Sequence, residues 1–229
     1  MNIHLVFDLL SATTTAVVTY ILSKGVLAPS VARIERIGAV YYVGLATGAI
    51  WGAFALGTLN LWASGIDGLG RSILGALLGA ILMVELSKKF MGMKTSTGAL
   101  FVPAFTISVV IGRWGCFFTG LPDQTYGTFT DVPWAVDFGD GLRHPVQLYE
   151  SGMMALALVL WLALILYRPD FFRKYGFYLM CIIYGGQRFI WEFLKPYGTV
   201  LGPFNSFHIA CVILVVYGLW MITHARRQA

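Results

Sequence analysis

The octapeptide "RHPVQLYE", residues 143 to 150, gathers arginine, histidine, glutamine, tyrosine and glutamate where an apolar helix is about to begin. His144 is a side chain poised to titrate near neutral pH, and Glu150 adds a carboxylate that can orient it or act itself. Gln147, Glu150, Ser151 and Met154 fall at helical spacing, which puts three polar groups on one face. Pro145 fits the first helical position, where its missing N–H is harmless. A second stretch, "YGGQRFIWEFLKPYG" from 184 to 198, behaves the same way. Tyr184, Arg188, Glu192 and Lys195 share one helical face, and Arg188 and Glu192 are spaced to pair. Arg113 lies in a third stretch, "GRWGCFFTG", at 112–120. Arginine carries a planar, always charged fork that matches phosphate oxygens, so the chemistry in view is recognition and stabilisation of a phosphate.

These groups sit in a chain that is 58% hydrophobic and 12% charged, with mean hydropathy +0.74. At 229 residues this is a polytopic membrane protein, all-α. Seven windows of about 20 apolar residues are long enough to cross a bilayer: roughly 3–23, 38–62, 70–87, 98–118, 147–167, 175–195 and 205–224, read as a single membrane domain over 1–229. The first window carries Asp8 near its start and has neither a basic leader nor a clear cleavage site, so it is read as a helix that stays. Lys24, Arg33 and Arg36, then Lys88, Lys89 and Lys94, then Arg168, Arg173 and Lys174, and finally Arg226 and Arg227 occupy alternate connections and the tail. The positive-inside rule makes these cytoplasmic, the N-terminus extracytoplasmic and the C-terminus cytoplasmic. The positive charge is thereby used for orientation, and no nucleic-acid partner is implied.

Those positions take up 11 of the 16 lysines and arginines. The remainder are Arg71, Arg113, Arg143, Arg188 and Lys195, all in the outer half of the membrane or just outside it. Arg113 and Arg188 lie roughly 8 and 10 Å deep at the helical rise. An arginine at a helix centre is penalised by about 2.5–3.5 kcal/mol, so such residues face the bundle interior. Structural ion pairing or snorkelling accounts for one of them singly. Five at one membrane face, with Glu150 and Glu192 among them, fit a headgroup phosphate.

The long connection between the fourth and fifth windows, 119–146, carries Asp123, Asp131, Asp137 and Asp140, with Tyr126, Phe129, Trp134 and Phe138. It reads as an extracytoplasmic loop on the interface or over a site. Gly44, Gly48 and Gly52, with Gly75 and Gly79, form small-xxx-small ridges for close helix packing. Cys116, Cys181 and Cys211 show no metal-ligand spacing and no paired framework, so neither a metal nor a cofactor is expected.

The three stretches "GRWGCFFTG", "RHPVQLYE" and "YGGQRFIWEFLKP" resemble the signatures of the bacterial prolipoprotein diacylglyceryl transferases. The resemblance covers most of the chain from about Gly38 onward. It implies transfer of the diacylglyceryl group of phosphatidylglycerol to the lipobox cysteine of a secreted preprolipoprotein in the bacterial inner membrane, with release of glycerol phosphate. It implies that Arg113 matches the essential arginine of the glycine-arginine signature, that Arg188 matches the arginine before the family glutamate and Glu192 that glutamate, and that Arg143, His144, Gln147, Tyr149 and Glu150 match their motif. Lys195 stands where the family commonly has a second arginine. Cys116 and Thr119 replace asparagines. Leu121 replaces a glutamate for which nearby Asp123 is a substitute, and Leu74 replaces a histidine that is a candidate base for the thiol.

On this reading Arg113 and Arg188 act from opposite walls on the departing phosphate, assisted by Arg71, Arg143 or Lys195, with Gln147, Tyr149, Tyr184 and Asp123 as further substrate contacts. His144 is either the base or a helix-start residue bonding Glu150 or a loop carbonyl. His208, beside Asn205, is the weaker titratable candidate. Cys116 is an inert thiol or a covalent relay whose pKa a nearby cation would lower. Competing readings are a paralogue with the same lipid donor and another acceptor, or one transferring the phosphoglycerol portion. A transporter and an inactive lipid-binding scaffold are the readings from other classes.

Overall fold

In a computed structural model describing residues 3–227, the chain is a helical bundle. Its elements are α1 (Ile3–Lys24), α2 (Ala28–Glu35), α3 (Ala39–Ala63), α4 (Ile73–Phe90), α5 (Phe101–Thr119), α6 (Val146–Tyr167), α7 (Pro169–Glu192) and α8 (Ser206–Arg227). The side chains of Arg226 and Arg227 lie outside the described residues. Seven long helices coincide with the seven apolar windows. Five of them, all but α4 and α7, are long and apolar enough to cross a membrane. The other two carry the charges that lower their hydropathy: Glu85, Lys88 and Lys89 in α4, and Asp170, Arg173, Lys174, Arg188 and Glu192 in α7.

Two features escaped the hydropathy pattern. The short amphipathic α2 fills the first connection, with Ser30 and Ile34 buried. Helix α7 starts at Pro169 rather than 175, because Arg168 alone breaks the chain after α6 and proline is favoured in the first turn.

The burial pattern is that of a protein whose solvent is lipid. Large apolar side chains such as Leu9, Tyr20, Trp51, Leu156 and Trp220 are exposed, whereas Arg113, Glu150, Gln147, Arg188 and Glu192 are buried. Packing runs α3 on α4, α7 on α8, and α1, α5, α6 and α7 in succession. The α3–α4 contact depends on the glycine ridges. A Cβ on Gly48 would strike the Gly79 carbonyl, and one on Gly52 the Gly75 carbonyl. Gly52→Val therefore pushes two backbones apart. The expected result is destabilisation at or above the ~1–3 kcal/mol of ordinary overpacking, read as a lowered melting temperature in detergent.

Tertiary hydrogen bonds pin the remaining interfaces. Trp161 Nε1 donates to Thr106 Oγ1 at 3.1 Å and Ser151 Oγ to the Val110 carbonyl at 2.9 Å, fixing α6 on α5. At the opposite end of the bundle, Lys88 is buried and pairs with Glu85 at 2.8 Å, and Tyr217 donates to the same carboxylate at 3.0 Å.

Candidate functional site

Helices α1, α4, α6 and α8 begin, and α3, α5 and α7 end, at the same end of the bundle. Each polar helix face therefore delivers its charged residues to one place. The buried stripe of α6 is Gln147, Glu150, Ser151 and Met154, followed by Ala157 and Trp161. The α7 face, Tyr184, Arg188 and Glu192, is buried against it, as is Lys195 just beyond the helix.

Glu150 is the centre. Its side chain is 0% exposed, and three cations from three segments converge on its two oxygens. Arg113 Nε on α5 lies 2.6 Å and Arg188 Nη1 on α7 lies 3.2 Å from Oε2, and Lys195 Nζ lies 2.6 Å from Oε1. Glu192 is the second carboxylate, 3.6 Å from Arg188 Nη2 and 4.0 Å from Lys195 Nζ. Asn205 Nδ2 donates to its other oxygen at 3.4 Å. Three cations against two carboxylates leave one positive charge in a buried cluster, which favours an anion over water as the next neighbour.

That cluster opens onto a cavity of about 1020 Å3. Arg113, Arg188 and Arg71 stand in its wall, with Asn60, Tyr197 and Phe207. Arg71 is exposed, near the N-terminal end of α4. Buried polar atoms nearby in sequence lack hydrogen-bond partners: Gln147 Oε1 and Nε2, Tyr184 Oη and Arg188 Nε. Such groups are costly to leave unmade and are suited to a polar ligand.

Other expected site residues are placed apart from the cavity. Arg143 belongs to the loop between α5 and α6, where strands β1 (Val136–Asp137) and β2 (Leu142–Arg143) form a small antiparallel ribbon. It donates to both Asp140 oxygens, at 2.9 and 2.7 Å, and to the Gly127 carbonyl at 3.0 Å, and it stacks on Phe129. These hydrogen bonds hold the Asp140 carboxyl below the usual carboxylate range. With its fork spent in this way, Arg143 braces the loop. His144 Nδ1 lies 3.3 Å from the Tyr149 hydroxyl, which accepts from Trp134 Nε1 at 2.7 Å. This contact, rather than one with Glu150, is where the turn directs the imidazole. Replacing His144 by Ala is expected to lower turnover less than tenfold, against the ~10²–10⁴ of a lost general base; steady-state kinetics of the variant checks this. Asn205 caps α8: its Oδ1 accepts from the His208 backbone N–H at 3.1 Å, and His208 Nδ1 accepts in return from the Asn205 backbone N–H at 3.1 Å. Leu74 is fully buried in the hydrophobic core.

Residues that sequence reasoning passed over also line the cavity: His4 and Asp8, one turn apart on α1. His4 Nδ1 is 2.9 Å from Asp8 Oδ2, and His4 Nε2 faces Asp123 Oδ1 at 3.4 Å and Cys116 Sγ at 3.8 Å. Two ionisable groups at i, i+4 in an otherwise apolar span were the available signal.

A buried, net-cationic centre at one end of a bundle of long apolar helices marks a multi-pass membrane protein. The sequence profile of the prolipoprotein diacylglyceryl transferase family matches residues 8–224, and the chain belongs to that family. It is similar to the phosphatidylglycerol–prolipoprotein diacylglyceryl transferase of Rhizobium leguminosarum bv. trifolii, 33% identical over 55% of this chain and 50% of that protein. The enzyme of the same name from Bordetella parapertussis is 36% identical over 58% of this chain and 51% of its own length. That from Nitratidesulfovibrio vulgaris is 28% identical over 90% of this chain and 74% of its own. The chain thus spans about half the length of several curated relatives it matches. No solved structure matches it.

Proposed function

We propose that this chain transfers the diacylglyceryl group of phosphatidylglycerol to the lipobox cysteine thiol of a preprolipoprotein, releasing glycerol phosphate. The observation that carries the reading is the convergence of Arg113 and Arg188 on one carboxylate oxygen at the wall of a large cavity. A phosphodiester headgroup placed there meets the surplus positive charge of the cluster, with Arg71 at the edge. As the glycerol C–O bond lengthens, charge accumulates on the leaving phosphate, and fixed guanidinium donors stabilise that charge without reorganising. Glu150 and Glu192 hold the cations in register, and Lys195 acts from behind Glu150. Gln147 and Tyr184 present unpartnered polar atoms for the polar parts of the donor, and Asp123 stands on the acceptor side of the cavity.

All seven long helices span the bacterial inner membrane as one domain, with the N-terminus and the site toward the extracytoplasmic face. The alternation of basic connections supports this orientation. The charges of α4 and α7 are tolerated in a span because Arg188 and Glu192, and Glu85 and Lys88, are paired inside the bundle.

The test is to incubate the purified protein with phosphatidylglycerol labelled separately in headgroup and acyl chains, together with a lipobox peptide. Acyl label on the peptide cysteine with headgroup label released as glycerol phosphate is the expected outcome. Phospholipid turnover without a labelled thioether points to a second reading, the same donor with another acceptor. Leu74, buried where the resemblance leads one to look for a histidine, is the observation that favours it. No turnover at all overturns both.

A further inference from the structure

Three side chains far apart in the sequence meet at the cavity wall: His4 on α1, Cys116 on α5, and Asp123 in the 3₁₀ turn Leu121–Asp123 that follows Gly120. One ligand atom from each, imidazole nitrogen, thiol sulfur and carboxylate oxygen, falls within 4.8 Å of the other two. His4 Nε2 is 3.4 Å from Asp123 Oδ1 and 3.8 Å from Cys116 Sγ. Ligands in a tetrahedral zinc shell, with bonds of about 2.0–2.3 Å, lie roughly 3.3–3.6 Å apart along its edges. The triangle is therefore close to the size that such an ion requires.

The outer atoms are also held as a metal site holds them. Asp8 Oδ2 takes the far side of the His4 ring, at 2.9 Å from Nδ1, which leaves Nε2 toward the cluster. This is the carboxylate–histidine relay that fixes the tautomer of a ligating imidazole. Thr125 Oγ1 donates to Asp123 Oδ2 at 2.5 Å and leaves Oδ1 facing His4. Arg113 Nη1 lies 3.9 Å from Cys116 Sγ, so the guanidinium that pairs with Glu150 also borders the triangle.

We infer that His4, Cys116 and Asp123 bind a zinc-type divalent cation whose fourth position, open to the cavity, takes the acceptor cysteine as thiolate. The inference rests on the transferase reading above and identifies how the nucleophile is made. A neutral imidazole, one thiolate and one carboxylate neutralise the doubly charged ion. The acceptor thiolate then adds one negative charge beside Arg113. Coordination lowers the thiol pKa, and the thiolate is the nucleophile. Its sulfur forms the C–S bond at the glycerol carbon, the C–O bond to phosphate breaks, and glycerol phosphate departs. The thiol proton ends on that released phosphate. With Leu74 in the core, a metal in this position accounts for a chain whose cavity holds, among the described residues, His4 as its histidine.

The experiment uses the full chain in detergent, stripped with chelator and titrated with Co2+ alone. One equivalent should produce the thiolate-to-cobalt charge-transfer band in the near ultraviolet, and Zn2+ should displace it. Cys116→Ser should abolish the band. The double variant Cys181→Ser/Cys211→Ser should keep it, since both thiols lie in the core. Asp8→Asn should weaken cobalt binding by about 10–100-fold. Chelator should stop thioether formation in the labelled-lipid assay, and Zn2+ should restore it. A chain that transfers label, shows no cobalt–thiolate band and keeps its rate in chelator overturns the metal site and leaves the transferase reading standing. A chain that binds cobalt through Cys116 but transfers nothing to any lipobox peptide overturns the transferase reading and leaves the site. A band that survives Cys116→Ser overturns the ligand set.

Discussion

Arg113→Ala is expected to lower diacylglyceryl transfer by at least 10²–10³-fold, roughly the effect of removing one preorganised donor from a developing oxyanion, while the protein still folds. The two halves of this expectation have separate causes. Catalysis suffers because Arg113 borders the cavity and, in the proposed reaction, carries one of the two forks that stabilise the leaving phosphate. Folding survives because Glu150 keeps Lys195 at 2.6 Å and Arg188 at 3.2 Å, so the buried carboxylate stays compensated. Arg113→Lys should recover little, since a point charge does not replace the planar fork. Peptide thioether formation by mass spectrometry, alongside a melting curve in the same detergent, reads both halves. A variant within about threefold of the parent rate would remove Arg113 from the transfer machinery; ~1.4 kcal/mol per tenfold sets the scale of that difference.

Glu150→Gln has the opposite signature, with stability as the larger loss. The carboxylate is fully buried and is the shared partner of three cations. Taking its charge away leaves Arg113, Arg188 and Lys195 facing each other with only Glu192 to offset them. Breaking a buried ion pair by removing one partner costs about 3–5 kcal/mol. At ~2–4 °C per kcal/mol for a chain of this size, the melting temperature should drop by roughly 10 °C. A second substitution discriminates charge from packing. Lys195→Met on the Glu150→Gln background removes one unpaired cation at similar volume, and should recover part of the loss. Additive behaviour of the two changes would mean that Glu150 and Lys195 do not interact as the geometry has them.

Much of this site was legible in the chain because helical periodicity is local. The spacing of Gln147, Glu150 and Ser151, or of Arg188 and Glu192, states which residues share a face, whatever that face meets. Apolar windows located the seven long helices, and the glycine ridges anticipated the close α3–α4 contact. The surplus cations could be found by subtracting those that the positive-inside rule assigns to orientation. Belonging to the transferase family was legible in the three signature stretches as well.

The rest was decided by contacts between distant segments. His144 stands six residues before Glu150, the carboxylate expected to orient or bond it, yet its ring goes to Tyr149, because the ribbon and the turn at Pro145 aim it there. Arg143 belongs to the loop for the same reason: Asp140 and Gly127 are within its reach. His4 meets Cys116 across 112 residues of chain. No spacing rule reaches that far, and only the packing of α1 on α5 brings the imidazole to the thiol. Sequence alone determined which faces are polar and at which end of the bundle they gather; tertiary structure decided which side chain on each face touches which. The physical reason is that turn-by-turn geometry propagates along a helix, whereas the choice of neighbour follows from how the helices bury one another.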